Sequence, residues 1–265
     1  MDVERIRRSF EELRKKRVEM GLSEAEKPVY KCEACHDTGW ITVRREGLQP
    51  ESVPCKCYSQ RAFDRSVKNS GIDPDLLARC TLDSFKTLDE NARRMKETAL
   101  AFLADEQARG LGFFGRSGTG KTHLCVAVCA DLAKQGRGVK YMQYNSVMRK
   151  LLANKYDAEG YEEVMEPLAS CPVLYIDDLF KNASDARTAH LANDEKRIMF
   201  ELLDRRYKNN AVTIVSTEMS LQDIRKEDEA IASRIYQLVG KYGCRCDGAN
   251  RRFGSAEISQ QKDDG

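Results

Sequence analysis

Residues 115–123 read Gly-Arg-Ser-Gly-Thr-Gly-Lys-Thr-His, and no other stretch of the chain narrows the possible folds as far. The run satisfies G-x-x-x-x-G-K-[ST] in full. Glycines at 115, 118 and 120 let the backbone curl so that its N–H groups face phosphate oxygens, with a helix N-terminus behind them. Lys121 then reaches the outer phosphates, and Thr122 offers a hydroxyl to Mg²⁺. Ser117, Thr119 and His123 complete the candidate nucleotide-contacting set. The motif needs a strand before it and a helix after it. The apolar Leu111–Phe114 and the helical "THLCVAVCADLAKQ" supply both, a context that a chance glycine-rich turn would lack.

Further along, "PVLYIDDLF" is an almost continuous apolar run that ends in Asp177 and Asp178. Two acids after such a run could simply mark a strand leaving the core. Beside a full phosphate loop the metal reading prevails: Asp177 holds Mg²⁺ through water, and Asp178 polarises an attacking water. From about residue 80 onward helical and strand patterns alternate. "NARRMKETALAFLADEQARG", Ser146 to Leu168 and "DEKRIMFELLDRRYKNN" read as helices; "GVKYMQY" and "AVTIVST" read as strands. Such alternation predicts an α/β fold, a parallel sheet flanked by helices. The chain reads as a nucleotide-binding ATPase.

The first 66 residues are different in kind. Ile6, Phe10, Leu13 and Met20 fall near helical spacing on a charged segment. Two uses fit that amphipathic helix: packing on its own domain, or docking a partner protein. Next come Cys32-x-x-Cys35-His36 and, with nineteen residues between the pairs, Cys55-x-Cys57. The first half alone matches a haem attachment box. Interleaved charges at the N-terminus and the absence of a signal-peptide core point instead to a cytoplasmic chain, whose thiols stay reduced. No thioredoxin-like pattern surrounds residue 32, which argues against a redox dithiol. Two thiol pairs joined by a returning loop suit tetrahedral Zn²⁺, with His36 outside the ligand set. Four buried or incidental thiols are the plain alternative. Cys244-x-Cys246, which alternates along an expected strand, is taken as packing, with Cys80, Cys125, Cys129 and Cys171.

The expected layout is a helix and zinc unit over 1–66, a linker over 67–80, and an ATPase domain over 81–265. Net charge is only +2, so no global basic field advertises nucleic acid, and local clusters such as "DRRYKNN" read as solvated helix faces. No apolar run approaches the ~20 residues that span a bilayer, so no membrane partner is expected.

"CEACHDTGW" with "CKC", "SGIDPDLLARCTLDSF", "GRSGTGKTHL" and "YIDDLFK" together resemble the DnaC/DnaI-type replicative helicase loaders, phage-borne relatives included, within the AAA+ ATPases. IstB-like transposition helpers are close kin. The resemblance covers nearly the whole chain. It implies an AAA+ sheet, ATP hydrolysis with Mg²⁺, and self-association through the ATPase domain. The zinc domain would bind the hexameric replicative helicase, and the ATPase domain would contact single-stranded DNA. Arg234 in "IASRIYQL" falls where the family places an arginine finger that reaches a neighbouring subunit's nucleotide. Arg252 in "GANRRF" falls where a second, in-cis sensor is expected, with Arg251 competing for the role. One departure stands out. The family's Thr-Ser-Asn after "AVTIVS" is here Ser216-Thr217-Glu218, so Thr217 is left to orient a water and an acid replaces the sensing amide. That implies slow hydrolysis. Two rival readings follow, a transposition helper on duplex DNA and an ATP-binding switch or adaptor.

Overall fold

The computed structural model describes residues 29–45, 49–181 and 191–252. Chain contacts divide it into two compact units, Met1–Tyr58 and Ser59–Gly265. The amphipathic helix expected over the first twenty residues lies outside the described residues.

In the first unit, β1 (Trp40–Val43) and β2 (Glu51–Pro54) form an antiparallel ribbon with Trp40 opposite Pro54 and Val43 opposite Glu51. Of its described residues only Cys35, Gly39 and Cys55 are buried. Two four-residue strands with so little apolar cover need a staple other than a core.

The second unit opens with α1 (Tyr58–Ser70), which Gly71 terminates in a left-handed conformation at φ 77°. Pro74 starts the next helix. The Asp73 carboxylate accepts the N–H groups of Asp75 and Leu76, and the fixed proline φ suits the first turn of α2 (Pro74–Arg79). Ile72 and Cys80 are buried in the core, so the stretch read as a linker is packed structure of this unit.

Five parallel strands follow: β3 (Gly110–Gly115), β4 (Val139–Gln143), β5 (Val173–Asp177), β6 (Val212–Thr217) and β7 (Gly243–Cys246). Their order across the sheet is β4-β5-β6-β3-β7. Strand alternation sends side chains to two cores. Leu111, Phe113, Val173, Tyr175 and Ile214 face one, packed with α3 (Glu90–Ala104) and α4 (Lys121–Lys134). Phe114, Leu174, Ile176 and Val215 face the other. That side is covered by α5 (Tyr144–Ala153), α6 (Ala158–Ser170), α7 (Asn193–Lys208), α8 (Leu221–Glu227) and α9 (Glu229–Val239). Burial on both faces is why β5 and β6 read as mostly apolar runs. From β3 the chain crosses to β4 at one edge, while from β6 it crosses to β7 at the other. The carboxyl ends of these two neighbours therefore frame a switch-point crevice.

One reading of the basic clusters needs correction. Arg206, in "DRRYKNN", is fully buried rather than solvated. Its guanidinium donates to the carbonyls of Leu168 (2.7 Å), Cys171 (3.0 Å) and Val212 (2.5 Å) and to Thr213 Oγ1 (2.9 Å). The cation ties the C-terminus of α6, where unpaired carbonyls gather, to the start of β6. No described helix is long and apolar enough to cross a membrane.

Candidate functional site

The residues of the loop motif do converge. Gly118 and Gly120 adopt φ values of 74° and 98°, in the left-handed region that a Cβ disfavours. Gly118 is required twice over, because a Cβ there would stand 1.7 Å from Asn250 Oδ1. The helices α2, α3, α8 and α9 are all capped by side chains, those of Asp73, Asp89, Ser220 and Asp228. Like α5, α6 and α7, α4 has no side-chain cap, and it starts at Gly120 of the loop. Its first N–H groups and the positive end of its dipole are left for an anion.

Ser117, Gly118, Gly120, Lys121, Thr122, His123, Asp178 and Arg252 line one cleft of about 500 Å³. Lys121 is 6% exposed, and its ammonium donates to the carbonyls of Gly115 (2.6 Å) and Arg116 (2.7 Å). Burial pulls it below the ordinary lysine range, a condition that an arriving phosphate charge would relieve. Thr119 is buried, with its hydroxyl on the Arg116 carbonyl, and shapes the loop from within. His123 Nε2 donates to the Thr81 carbonyl at 2.9 Å, and its ring meets Phe85 edge-on.

Asp177 ends β5 beside the loop. Thr122 Oγ1 donates to Asp177 Oδ1 at 3.2 Å, and Ser216 Oγ donates to the same oxygen at 2.6 Å. A hydroxyl and a carboxylate so joined, at the mouth of a phosphate loop, are a hard oxygen donor set that fits Mg²⁺. Asp178 follows at φ 53°, which turns it out of the strand into the cleft. There Lys181 Nζ bonds its Oδ2 at 2.6 Å and lies 4.0 Å from Glu218 Oε1.

The remaining sensor candidates are distributed differently. Thr217 is fully buried and donates to the Leu179 carbonyl at 2.7 Å, while its neighbour Glu218 lines the cleft. Arg234 is not among the cleft residues; it sits on α9, bonded to Asp204 of α7. Arg251 and Arg252 both line the cleft. Arg251 lies over the Phe85 ring (4.8 Å to the centroid) and donates to the Lys86 carbonyl, and its buried Nη2 has no partner among the described residues. Sequence reasoning missed Phe85, Lys86 and Asn250 as parts of this site. Phe85 does belong to the "CTLDSF" stretch that carried the resemblance, and that was the available signal.

In the first unit the sulfurs of Cys32, Cys35, Cys55 and Cys57 all lie within 4.8 Å of one another. Cys32 and Cys55 sulfurs are 3.7 Å apart, and those of Cys35 and Cys57 are 3.5 Å apart. A tetrahedral zinc with bonds of about 2.3 Å spaces its sulfurs by about 3.8 Å, whereas a disulfide needs about 2 Å. The set therefore fits zinc. Left-handed His36, Asp37 and Gly39 curl the chain so that Gly39 N–H donates to Cys35 Sγ at 3.3 Å. The backbone N–H groups of Lys31 and Cys32 close the knuckle on the Asp37 carboxylate. His36 is turned away and stacks on Tyr30, with centroids 4.6 Å apart.

Comparisons with known proteins agree with this geometry. The model of the IstB-like ATP binding protein family matches residues 59–238. The phage-like element PBSX protein XkdC of Bacillus subtilis (strain 168) is 27% identical over 230 residues, 83% of this chain and 84% of that one. The replicative helicase loader DnaC of Escherichia coli (strain K12) is 25% identical over 189 residues, 69% of this chain and 71% of that one. A crystal structure of DnaI superposes with a TM-score of 0.55 at 22% identity, over 69% of this chain and 96% of that one. The sheet is the parallel, helix-flanked sheet that the sequence led us to expect, and DnaI shares its fold. With more than half of its length matched by the family model, this chain belongs to the IstB-like ATP-binding proteins, and it is similar to the DnaC and DnaI proteins.

Proposed function

We propose that the protein is an ATP-dependent loader that places a hexameric replicative helicase on single-stranded DNA. The observation that carries this reading is the presence in one chain of a phosphate-loop cleft and a separate four-cysteine unit, together with a relative named as a replicative helicase loader.

ATP phosphates lie on the N–H groups at the start of α4, and Lys121 turns from its carbonyl partners to the outer phosphates. Thr122 and Asp177 hold Mg²⁺, which neutralises phosphate charge. Asp178 polarises the attacking water, and Arg252, with Arg251, reads the phosphates in cis. Arg234 serves the nucleotide of a neighbouring copy, so ATP drives self-association. Cys32, Cys35, Cys55 and Cys57 fill all four positions of a closed, structural zinc site, and that unit holds the helicase. Pull-down with the cognate helicase tests this: the whole chain captures it, and deletion of residues 1–66 abolishes capture. Equal capture by both forms sinks the proposal.

A second reading, an ATP-binding switch with slow turnover, draws on Lys181. The Lys181 ammonium occupies Asp178 Oδ2, and Thr217 spends its hydroxyl on the Leu179 carbonyl, so neither group is free to orient a water. Phosphate release by the wild type no faster than by Asp178→Ala would favour the switch. A preference for duplex over single-stranded DNA would favour a transposition helper instead.

A further inference from the structure

Asp177 receives more hydrogen bonds than a strand-tip carboxylate ordinarily collects. Its Oδ1 accepts from Tyr175 (2.5 Å), Ser216 (2.6 Å) and Thr122 (3.2 Å), and its Oδ2 accepts from Tyr141 (2.9 Å). The sheet register builds this cage. Tyr141 of β4 is directly opposite Tyr175 of β5, and Tyr175 stands two residues before Asp177, so it shares that residue's face. On the other flank Tyr175 is opposite Ile214, two residues before Ser216. The Tyr175 ring is fully buried, and its hydroxyl donates to Asp177 Oδ1 with Ser216 Oγ 3.1 Å away. Phenylalanine would fill the same space with no buried hydroxyl to satisfy. A tyrosine at this position is therefore explained by what its hydroxyl holds.

Each carboxylate oxygen has two lone-pair sites. Three donors saturate Oδ1, while Oδ2 has one donor and one site to spare. We infer that Tyr141 and Tyr175 are positioning residues for the nucleotide's divalent cation: they clamp the Asp177 carboxylate in one orientation and reserve the second Oδ2 lone pair for a cation-bound water. This rests on the reading of the cleft as an ATP site. Ser216 extends the device, because its hydroxyl also accepts the Asp178 N–H at 3.2 Å and so fixes both acids to β6.

The test is Mg²⁺ titration of fluorescent ATP-analogue binding to the full chain, comparing wild type with Tyr141→Phe and Tyr175→Phe. Each substitution should raise the Mg²⁺ midpoint about tenfold, the usual scale for groups that orient a metal ligand, without changing affinity in excess chelator. A merely structural role would shift both affinities together or neither. Midpoints equal to wild type in folded protein, checked by thermal melting, overturn the inference while leaving the ATP site standing. Should Tyr175→Phe not fold, the half-buried Tyr141→Phe decides alone. Wild-type binding indifferent to Mg²⁺ would overturn the ATP-site reading and this inference with it.

Discussion

The Arg234 guanidinium bonds Asp204 Oδ1 at 2.5 Å and lies over the Tyr207 ring, 4.3 Å from its centroid. This arginine is thus docked on α7 of its own chain. Asp204 also pairs with Lys208 at 2.7 Å, and Lys208 first, then Arg234, hold its carboxyl below the usual range. Arg234→Ala therefore leaves Asp204 partnered, and the cost to stability is at most about 1 kcal/mol. Hydrolysis should fall by about 10³ if the guanidinium acts across a subunit boundary. Mixing Arg234→Ala chains with Lys121→Ala chains should restore part of the turnover, since one supplies a site and the other a finger. No recovery on mixing would place Arg234 outside the reaction.

Lys121 offers a cleaner test of the cleft. ATP with Mg²⁺ at about 100 times its Kd stabilises a folded chain by about 2.7 kcal/mol. In a domain of this size that is a rise in melting temperature of about 5–10 °C. Lys121→Ala should show no such rise, because the phosphate loop loses its only buried ammonium among the described residues. A ligand-induced shift of wild-type size in Lys121→Ala would exclude the loop as the binding site.

Removing metal should separate the two units. Trp40 is the chain's one tryptophan and meets Tyr58 edge-on, with centroids 5.3 Å apart, so its fluorescence reports on the first unit alone. A strong chelator, or Cys55→Ser, should melt that unit and change Trp40 emission, while the ATP-induced rise in melting temperature persists. Emission unchanged after demonstrated loss of zinc would mean that the unit folds without metal. Zinc analysis returning iron, or no metal in folded protein, would refute the assignment.

Arg206→Met should destabilise the second unit by about 3–5 kcal/mol, since carbonyls at the end of α6 and the start of β6 lose their buried donor. Arg206→Lys should not rescue it. An ammonium lacks the planar fork that serves four acceptors on two elements at once. Denaturant melts of both variants measure this, and a loss below about 1 kcal/mol would show that relaxation or water replaces the guanidinium.

The parts of this structure that the sequence made legible are those where one physical constraint dominates. Burial on both faces makes β5 and β6 largely apolar, and the loop before α4 needs glycine, lysine and threonine at fixed places. Metal spacing gave the four thiols by number. Partnerships between distant segments were harder to see. Arg206 resembles its solvated neighbours Arg205 and Lys208 in every local respect, and only the carbonyls brought to it by α6 and β6 distinguish it. At Pro74, a proline that ends one helix and a proline that begins another look alike until the Asp73 cap is considered. The tyrosine cage around Asp177 needs the strand register, which no single stretch contains.

Arg116 N–H donates to the Cys246 carbonyl at 2.9 Å, Arg251 N–H donates to the Gly118 carbonyl at 2.9 Å, and Asn250 is seated against Gly118. The loop that grips phosphate is therefore braced by residues more than a hundred positions later in the chain. On the ribosome, the motif at 115–123 emerges long before its brace. A nascent chain stalled short of Gly243 would carry every phosphate-contacting side chain of that motif and still lack the edge strand that supports it. The support of the loop is thus completed only late in synthesis, after the last strand of the sheet has been made.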